Sequence, residues 1–493
     1  MVIQNIIFPD EVCDAEEMYF RIHGNGYRKR DGIELQPTGT LTTDTYMNVL
    51  DLGHWKMYTE LQSPELHIWA EGSFVLCICR ITGETEHTLF EQEYTLGERR
   101  EIVCSLPGSF MDGLIYFRIK ALTQVILYQA LYEAPGNGQR KVLLAVDLCT
   151  FHRNHQLAAN LRRFAESLFC DRQSELYDSL HVCVVDNGDD FEAPFEADWL
   201  KIFRNSNQGG GTGGFTRGLA ELKKQYGTFP FTHVVFMDDD VEFQIESFYR
   251  LYAFLALMRP EYTDRSIAGR MFRLDQRNIQ YTAVEKWNQG NILHVGGNLD
   301  MNQRENLQEE KEQTGEYGGW WLCVFPAEII MRYKPFPFFL HCDDVEYGLR
   351  QKKDVLTLRG FQVWHETYEY RVNPQILYYD VRNALTVNAM LGVFPDAELA
   401  VARWRQRMGA YHANGKRTEE FLCALAMWHF GKRKIYKCKR GKLPKSGLWF
   451  SRQIILLKAI MPVFHRLAER YIRKHFENIM ECYQKEREEA IWQ

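Results

Sequence analysis

Three adjacent carboxylates, Asp238, Asp239 and Asp240, stand directly after the apolar run 234–237. Their mutual repulsion at a strand terminus invites a divalent cation. Alternate residues of an extended chain point the same way, so Asp238 and Asp240 could share a metal while Asp239 points elsewhere. A plain acidic loop would also explain three Asp in a turn. A second acidic pair, Asp343 and Asp344, follows the aromatic run "PFPFFLHC". A carboxyl beside an apolar wall has a route to a raised pKa and to work as a general base. A helix N-cap accounts for one of the two acids but need not account for both.

Ahead of both lies "NSNQGGGTGGFTRG", in which five of the six residues from Gly209 to Gly214 are glycine. Such a loop lets backbone approach a ligand and opens a helix whose N-terminus favours anions. No Lys-Ser or Lys-Thr follows the last glycine, so it is not a Walker loop; a flexible turn is the plain alternative. His365 ends the strand-like "GFQVWHETYEYR", where a lone His is more often structural than a ligand. Trp320 and Trp321 follow a Gly pair, and neighbours on a strand would face opposite ways, one to a core and one to a cleft.

The elements that must position these groups fall into three regions. Residues 1–135 read as short strands broken by Gly, Pro and Ser, which predicts a β-sandwich of jelly-roll type. Residues 141–390 alternate strand and helix, beginning with the buried run "KVLLAVDLCTF", and predict a doubly wound, mostly parallel sheet. Sheets of that kind bind ligands at the carboxyl ends of their strands, where the polar clusters fall. Residues 391–493 read as helical, with Leu457, Ile460, Phe464, Leu467 and Tyr471 forming one apolar stripe and a kink expected at Pro462. Just upstream, 432–445 is strongly basic without a single acid.

Composition narrows the classes. The 493 residues are 45% hydrophobic and 25% charged, with a net charge of -6, which argues against a nucleic-acid binder. The 12 Cys form no CxxC pair, and the N-terminus lacks a signal-peptide pattern, so reduced thiols in the cytoplasm are expected. No apolar run approaches the roughly 20 residues that span a bilayer. The aromatic content of 14% suits carbohydrate binding, although aromatic-rich core packing explains most of it equally well.

The motif order "CTFHR", "VVDNG", "GGTGGFTRG", "FMDDDV", "LHVGG", "GGWWLCVFPAE", "FFLHCDDVEYGLR", "VWHETY" and "LYYDVRNAL" resembles the galactofuranosyltransferases of family 2 over 143–385. The resemblance implies a GT-A catalytic domain with a β-sandwich before it and a helical region after it. It further implies inverting transfer of β-galactofuranose from UDP-galactofuranose to a glycan or glycolipid acceptor in cell-surface polysaccharide synthesis. Asp238, Asp240 and His365 match the family's metal ligands for Mn2+ or Mg2+, and Asp344 its general base. Arg153, Asp186, Asn207, Gln208, Gly213 and Asp239 match the nucleotide and diphosphate contacts. His294, Trp320, Trp321 and Asp343 match the sugar and acceptor pocket. The family writes Asn-x-Gly-Gly-x-Gly-Gly-Phe, and this chain either has one further residue or carries Gln208 in place of the Asn, so the nucleotide contact lies open between Asn207 and Gln208.

The expected partners are thus the nucleotide sugar, the acceptor, the inner face of a membrane through the basic tail, and a second copy of the chain. Transfer of another sugar (rhamnosyl or glucosyl), a carbohydrate-binding protein without catalysis, and a metal-dependent nucleotidyltransferase are the competing readings. Intact Asp238, Asp240, Asp344 and His365 argue against the second, and the phosphate loop against the third.

Overall fold

The computed structural model describes residues 1–29, 32–106, 112–136, 140–309, 314–371, 373–433 and 454–492. The first region is one ten-stranded antiparallel sheet, where two packed layers were expected. The difference comes from strand length. Glu65–Thr82 and Thr85–Ser105 form a hairpin of 18- and 21-residue strands. The first of these pairs with Val125–Glu133 along its first part and with Leu114–Ala121 along its second. It changes partner around Gly72, which has φ +102 and lies so close to the Gln124 carbonyl that a Cβ would sit 2.2 Å from that oxygen. A glycine bulge that bends a long strand lets one sheet curl round its own core. The strands at the two ends of the sheet order, Arg21–His23 and Gly26–Lys29, are consecutive in the chain, and the sheet is nearly a barrel.

The second region centres on a nine-stranded sheet. Leu200–Arg204, Leu180–Asp186, Leu144–Thr150 and His233–Asp238 lie side by side and parallel. Beyond His233–Asp238 the sheet turns antiparallel through Leu322–Pro326 and Ile267–Arg273, and stays so to Ile279–Thr282. The expected doubly wound, mostly parallel GT-A architecture is therefore corrected: taken over the chain, strand pairing is mostly antiparallel. "LCVFP" is buried at every position, and an apolar run of that kind carries no periodicity that reveals strand direction.

Helix Asn154–Ser167 and helix Gly210–Gln225 flank the parallel strands. Glu246–Leu257 joins the two regions: Glu246 accepts from Asn5 and from Arg250, whose guanidinium also donates to the Met47 carbonyl. The helices then run Pro374–Met390, Ala397–Ala413, Arg417–Gly431 and Ile454–Glu488. In the last of these the deeply buried side chains are Ala468, Ile472, Ile479 and Tyr483. Phe464 and Tyr471 pack on Trp428, whereas Leu467 of the expected stripe is exposed. The break in the helix falls at His475 (φ -119, ψ 15) and not at Pro462. A periodic stripe sets which residues share a face; the helices it meets decide how much of that face is covered. Of the basic run, 434–445 lies outside the described residues, as do Trp449 and Phe450. Among the described residues no helix is long and apolar enough to cross a membrane.

Candidate active site

The four parallel strands end together. Thr150 is level with Asp186, and Cys149 with Asp238, so the loops after them open on one edge of the sheet. A cleft of about 750 Å³ lies there, within the range of small-ligand sites. The helix Pro374–Met390 and the hairpin of Val284–Asn288 with Asn291–Val295 close its other side. Gln289 and Gly290 both have positive φ, as a tight two-residue hairpin turn requires. Trp287 Nε1 anchors the hairpin by donating to Asn388 at 2.8 Å.

Asp238 is the last residue of its strand, and the chain turns through Asp239 and Asp240. Two residues later Glu242 exchanges both backbone hydrogen bonds with Trp364. That register sets His365 beside the triplet. Its Nε2 lies 3.2 Å from Asp240 and 3.6 Å from Asp238, and one ligand atom from each of the three residues falls within 4.8 Å of the others. Two carboxylates and an imidazole in this compass are a suitable donor set for a divalent cation. Asp239 is buried and takes Arg153 at 2.9 Å, while the same guanidinium reaches Asp240 at 3.0 Å. Burial pushes the Asp239 carboxyl up to about 6 against the pull of Arg153. Asn160 donates to the Asp239 and Val241 carbonyls and pins the turn to the neighbouring helix.

The second acidic pair also lines the cleft, on the short helix Asp343–Leu349. The chain enters that helix through Phe339, His341 and Cys342, all at positive φ, a concentration of backbone strain at the site. Thr212 donates to Asp343 at 2.6 Å. Burial raises the Asp343 carboxyl, and Asp344 rises well above the carboxylate range through burial and then the charges of Asp343 and Glu285. A carboxylate so disfavoured in its ionised form takes up a proton readily, as a general base must.

The other expected site residues divide. Asn207, Trp320, Trp321 and His294 line the cleft with Arg153 and Asp239. Trp320 is packed edge-on against Phe215 and Tyr347, and the half-buried Trp321 donates from Nε1 to the Gly269 carbonyl. Both Trp lie in a turn before Leu322–Pro326, not on the strand, and both border the cleft. Asp186 does not line it. Its carboxylate accepts from the backbone N–H groups of Gly188, Asp189 and Phe191 and from Arg204, and so holds its own loop. Gln208 is exposed and also lies off the lining, as does Gly213.

The glycines serve packing as well as openness. A Cβ on Gly214 would meet Cys149 Sγ at 2.0 Å, and one on Gly218 would meet Asp147 at 1.9 Å, so the helix lies unusually close to the central strand.

The fold also brings here four residues that the sequence pattern does not single out, Glu285, His341, Asp380 and Tyr368. Glu285 is buried and pairs with His294 at 2.8 Å. His341 pairs with Asp380 at 2.9 Å, and Tyr368 donates to the same carboxylate. Burial opposes charge on His341, but Asp380 outweighs it and raises the imidazole. His341 and Asp380 lay within quoted motifs, yet nothing in their spacing predicted the pairing across some 40 residues.

No family model matches the chain. It is similar to Galactofuranosyltransferase GlfT2 of Mycobacterium tuberculosis, 24% identical over 431 residues that cover 79% of this chain and 65% of the relative. It is similarly 24% identical to Galactofuranosyltransferase GlfT2 of Mycolicibacterium smegmatis, over 78% of this chain and 63% of that one. The chain thus matches just under two thirds of the length of these curated relatives, and the resemblance expected from its motif order holds. Among solved structures, a xylanase with its carbohydrate-binding module covers 38% of the chain at TM-score 0.20. A family 16 carbohydrate-binding module covers 22% at TM-score 0.15. Likeness this slight carries no conclusion about fold or ligand.

Proposed function

We propose that the chain is a metal-dependent, inverting galactofuranosyltransferase that moves galactofuranose from UDP-galactofuranose to a glycan acceptor, lipid-linked in the cell. The observation that carries this reading is that the Asp238/Asp240/His365 cluster, which borders the cleft through Asp238 and His365, shares that cleft with Asp343 and Asp344 in a chain similar to galactofuranosyltransferases.

Asp238, Asp240 and His365 would hold Mn2+ or Mg2+, which when bound neutralises charge on the departing diphosphate. Arg153, already between Asp239 and Asp240, is the fixed cation on that side. Across the cleft Asp344 accepts the proton of an acceptor hydroxyl as its oxygen bonds to the sugar's C1. The bond from C1 to the phosphate oxygen breaks with its electron pair leaving on UDP. One displacement from the face opposite UDP inverts the anomeric centre, and the cleft's contribution is mainly the alignment of the two reactants. Trp321 and the His294–Glu285 pair border the acceptor's place. The basic stretch 432–445 supports peripheral contact with anionic lipid on grounds of composition.

Incubation with UDP-galactofuranose and an acceptor panel, followed by mass and linkage analysis, tests the proposal. A β-galactofuranosyl product formed only with a divalent cation is expected. Turnover of a different UDP- or dTDP-sugar in preference would reassign the donor, and no turnover of any would return the chain to the class of binding proteins.

A further inference from the structure

The helix that carries Asp343 and Asp344 has seven residues and is entered through strained backbone. A helix so short does not hold itself in water, so its place must be set by packing. Two residues after the acidic pair comes Glu346, fully buried at 0% exposure. A buried carboxylate is costly unless its charge is met. Arg350 meets it from the C-cap of the same helix, and Arg487 meets it at 2.9 Å from residues near position 490.

The segment after Arg487 continues the grip. Arg350 donates to the Ala490 carbonyl at 2.8 Å, and Lys334 N–H donates to the same carbonyl at 3.1 Å. Trp492 donates from its backbone to Arg332 and from Nε1 to Ile330. Its ring lies 4.3 Å from the Lys223 ammonium, on the helix that opens with the glycine loop. The two helices that present the glycine loop and the acidic pair are thus tied together behind the cleft by the last residues of the chain.

We infer that Arg487 is a positioning residue, with Glu346 as its target, and that residues 487–492 clamp the helix bearing Asp343 and Asp344 against the glycine-loop helix. Its catalytic consequence rests on the general-base role proposed for Asp344. Displacement of a reacting group by about 1 Å can cost roughly a hundredfold in rate. Loosening the clamp therefore lowers kcat and leaves nucleotide binding alone, because Arg153 and the Asp238 cluster sit on other elements.

The test compares the wild-type chain with Arg487→Met, Arg487→Lys and Trp492→Ala, at a temperature where circular dichroism finds all four folded. It reads kcat and KM for transfer, Kd for UDP with Mn2+, and backbone amide exchange over 343–349. Arg487→Met is expected to lose about ten- to a hundredfold in kcat, with Kd within about twofold and faster exchange over 343–349. Arg487→Lys recovers much of the loss, and Trp492→Ala moves the same way by less. Unchanged exchange and kcat in both Arg487→Met and Trp492→Ala overturns the clamp. If wild type transfers no sugar, the proposed function fails, and exchange alone still decides: acceleration upholds the clamp and wild-type exchange overturns it.

Discussion

Gly210 lies with its Cα against the carbonyl of Phe339, so that a Cβ built on it would stand 2.1 Å from that oxygen. The contact joins the glycine loop to the strained turn ahead of Asp343, and Gly210 itself has φ +65. Two remote stretches of sequence meet backbone to backbone, and only glycine permits it.

Gly210→Ala therefore suffers both a left-handed backbone and a clash with main chain. A loss of about 1–3 kcal/mol is expected by denaturant titration. Gly213→Ala is the control, since beyond the backbone of its own helix no atom lies within 4 Å of its Cβ position. In a helix interior that change should leave stability equal or raise it by about 0.5–1 kcal/mol. A fall in UDP affinity on this stable background would assign Gly213 to the nucleotide; unaltered affinity would remove it from the site.

Removal of divalent metal should abolish transfer, and Mn2+ or Mg2+ should restore it. Asp240→Ala and His365→Ala are each expected to lower kcat at least about a hundredfold. Isothermal titration with Mn2+ reads the same residues without turnover. Full activity after EDTA treatment would refute the assignment.

Asp344→Asn keeps the shape of the side chain but cannot accept a proton. The rate should drop by about 10²–10⁴ with UDP affinity little changed. The wild-type pH profile follows from the raised carboxyl. The base works ionised, so the rate falls as pH drops through its pKa, and that limb should lie clearly above the ordinary value of about 4. Glu285→Gln removes one of the charges that raise it and should move the limb to lower pH. If Asp343→Asn is inactive while Asp344→Asn turns over normally, the two roles are exchanged.

Asp147 is buried on the central strand Leu144–Thr150, and neither of its oxygens has a hydrogen-bond partner. Burial raises its pKa well above the usual range, so the folded state binds its proton more tightly than the unfolded chain does. That contribution is complete below the unfolded value of about 4 and is lost as pH rises through the folded one. Asp147→Asn should accordingly be more stable than wild type at pH 8, by about 1 kcal/mol or more. The gap should narrow on acidification. A pH-independent difference in melting temperature would contradict this.

Much of the site was legible in the chain because its chemistry is local. Adjacent acids after an apolar strand, a run of glycines opening a helix, and an acidic pair heading another helix are each readable within a dozen residues. Their order also carries the likeness to galactofuranosyltransferases. What the tertiary structure decided depends on pairing between distant segments. The Glu242–Trp364 register brings His365 to Asp238 and Asp240, and the Gly72 bend curls the first sheet where two layers were expected. The antiparallel insertion of Leu322–Pro326 replaces the doubly wound sheet. Asp186, which the resemblance matches to the nucleotide contacts, accepts from three backbone N–H groups and Arg204, an arrangement that no spacing could foretell. Local sequence sets which groups can ionise, turn or span; strand direction, register and charge pairing follow from contacts made only once the chain has closed on itself.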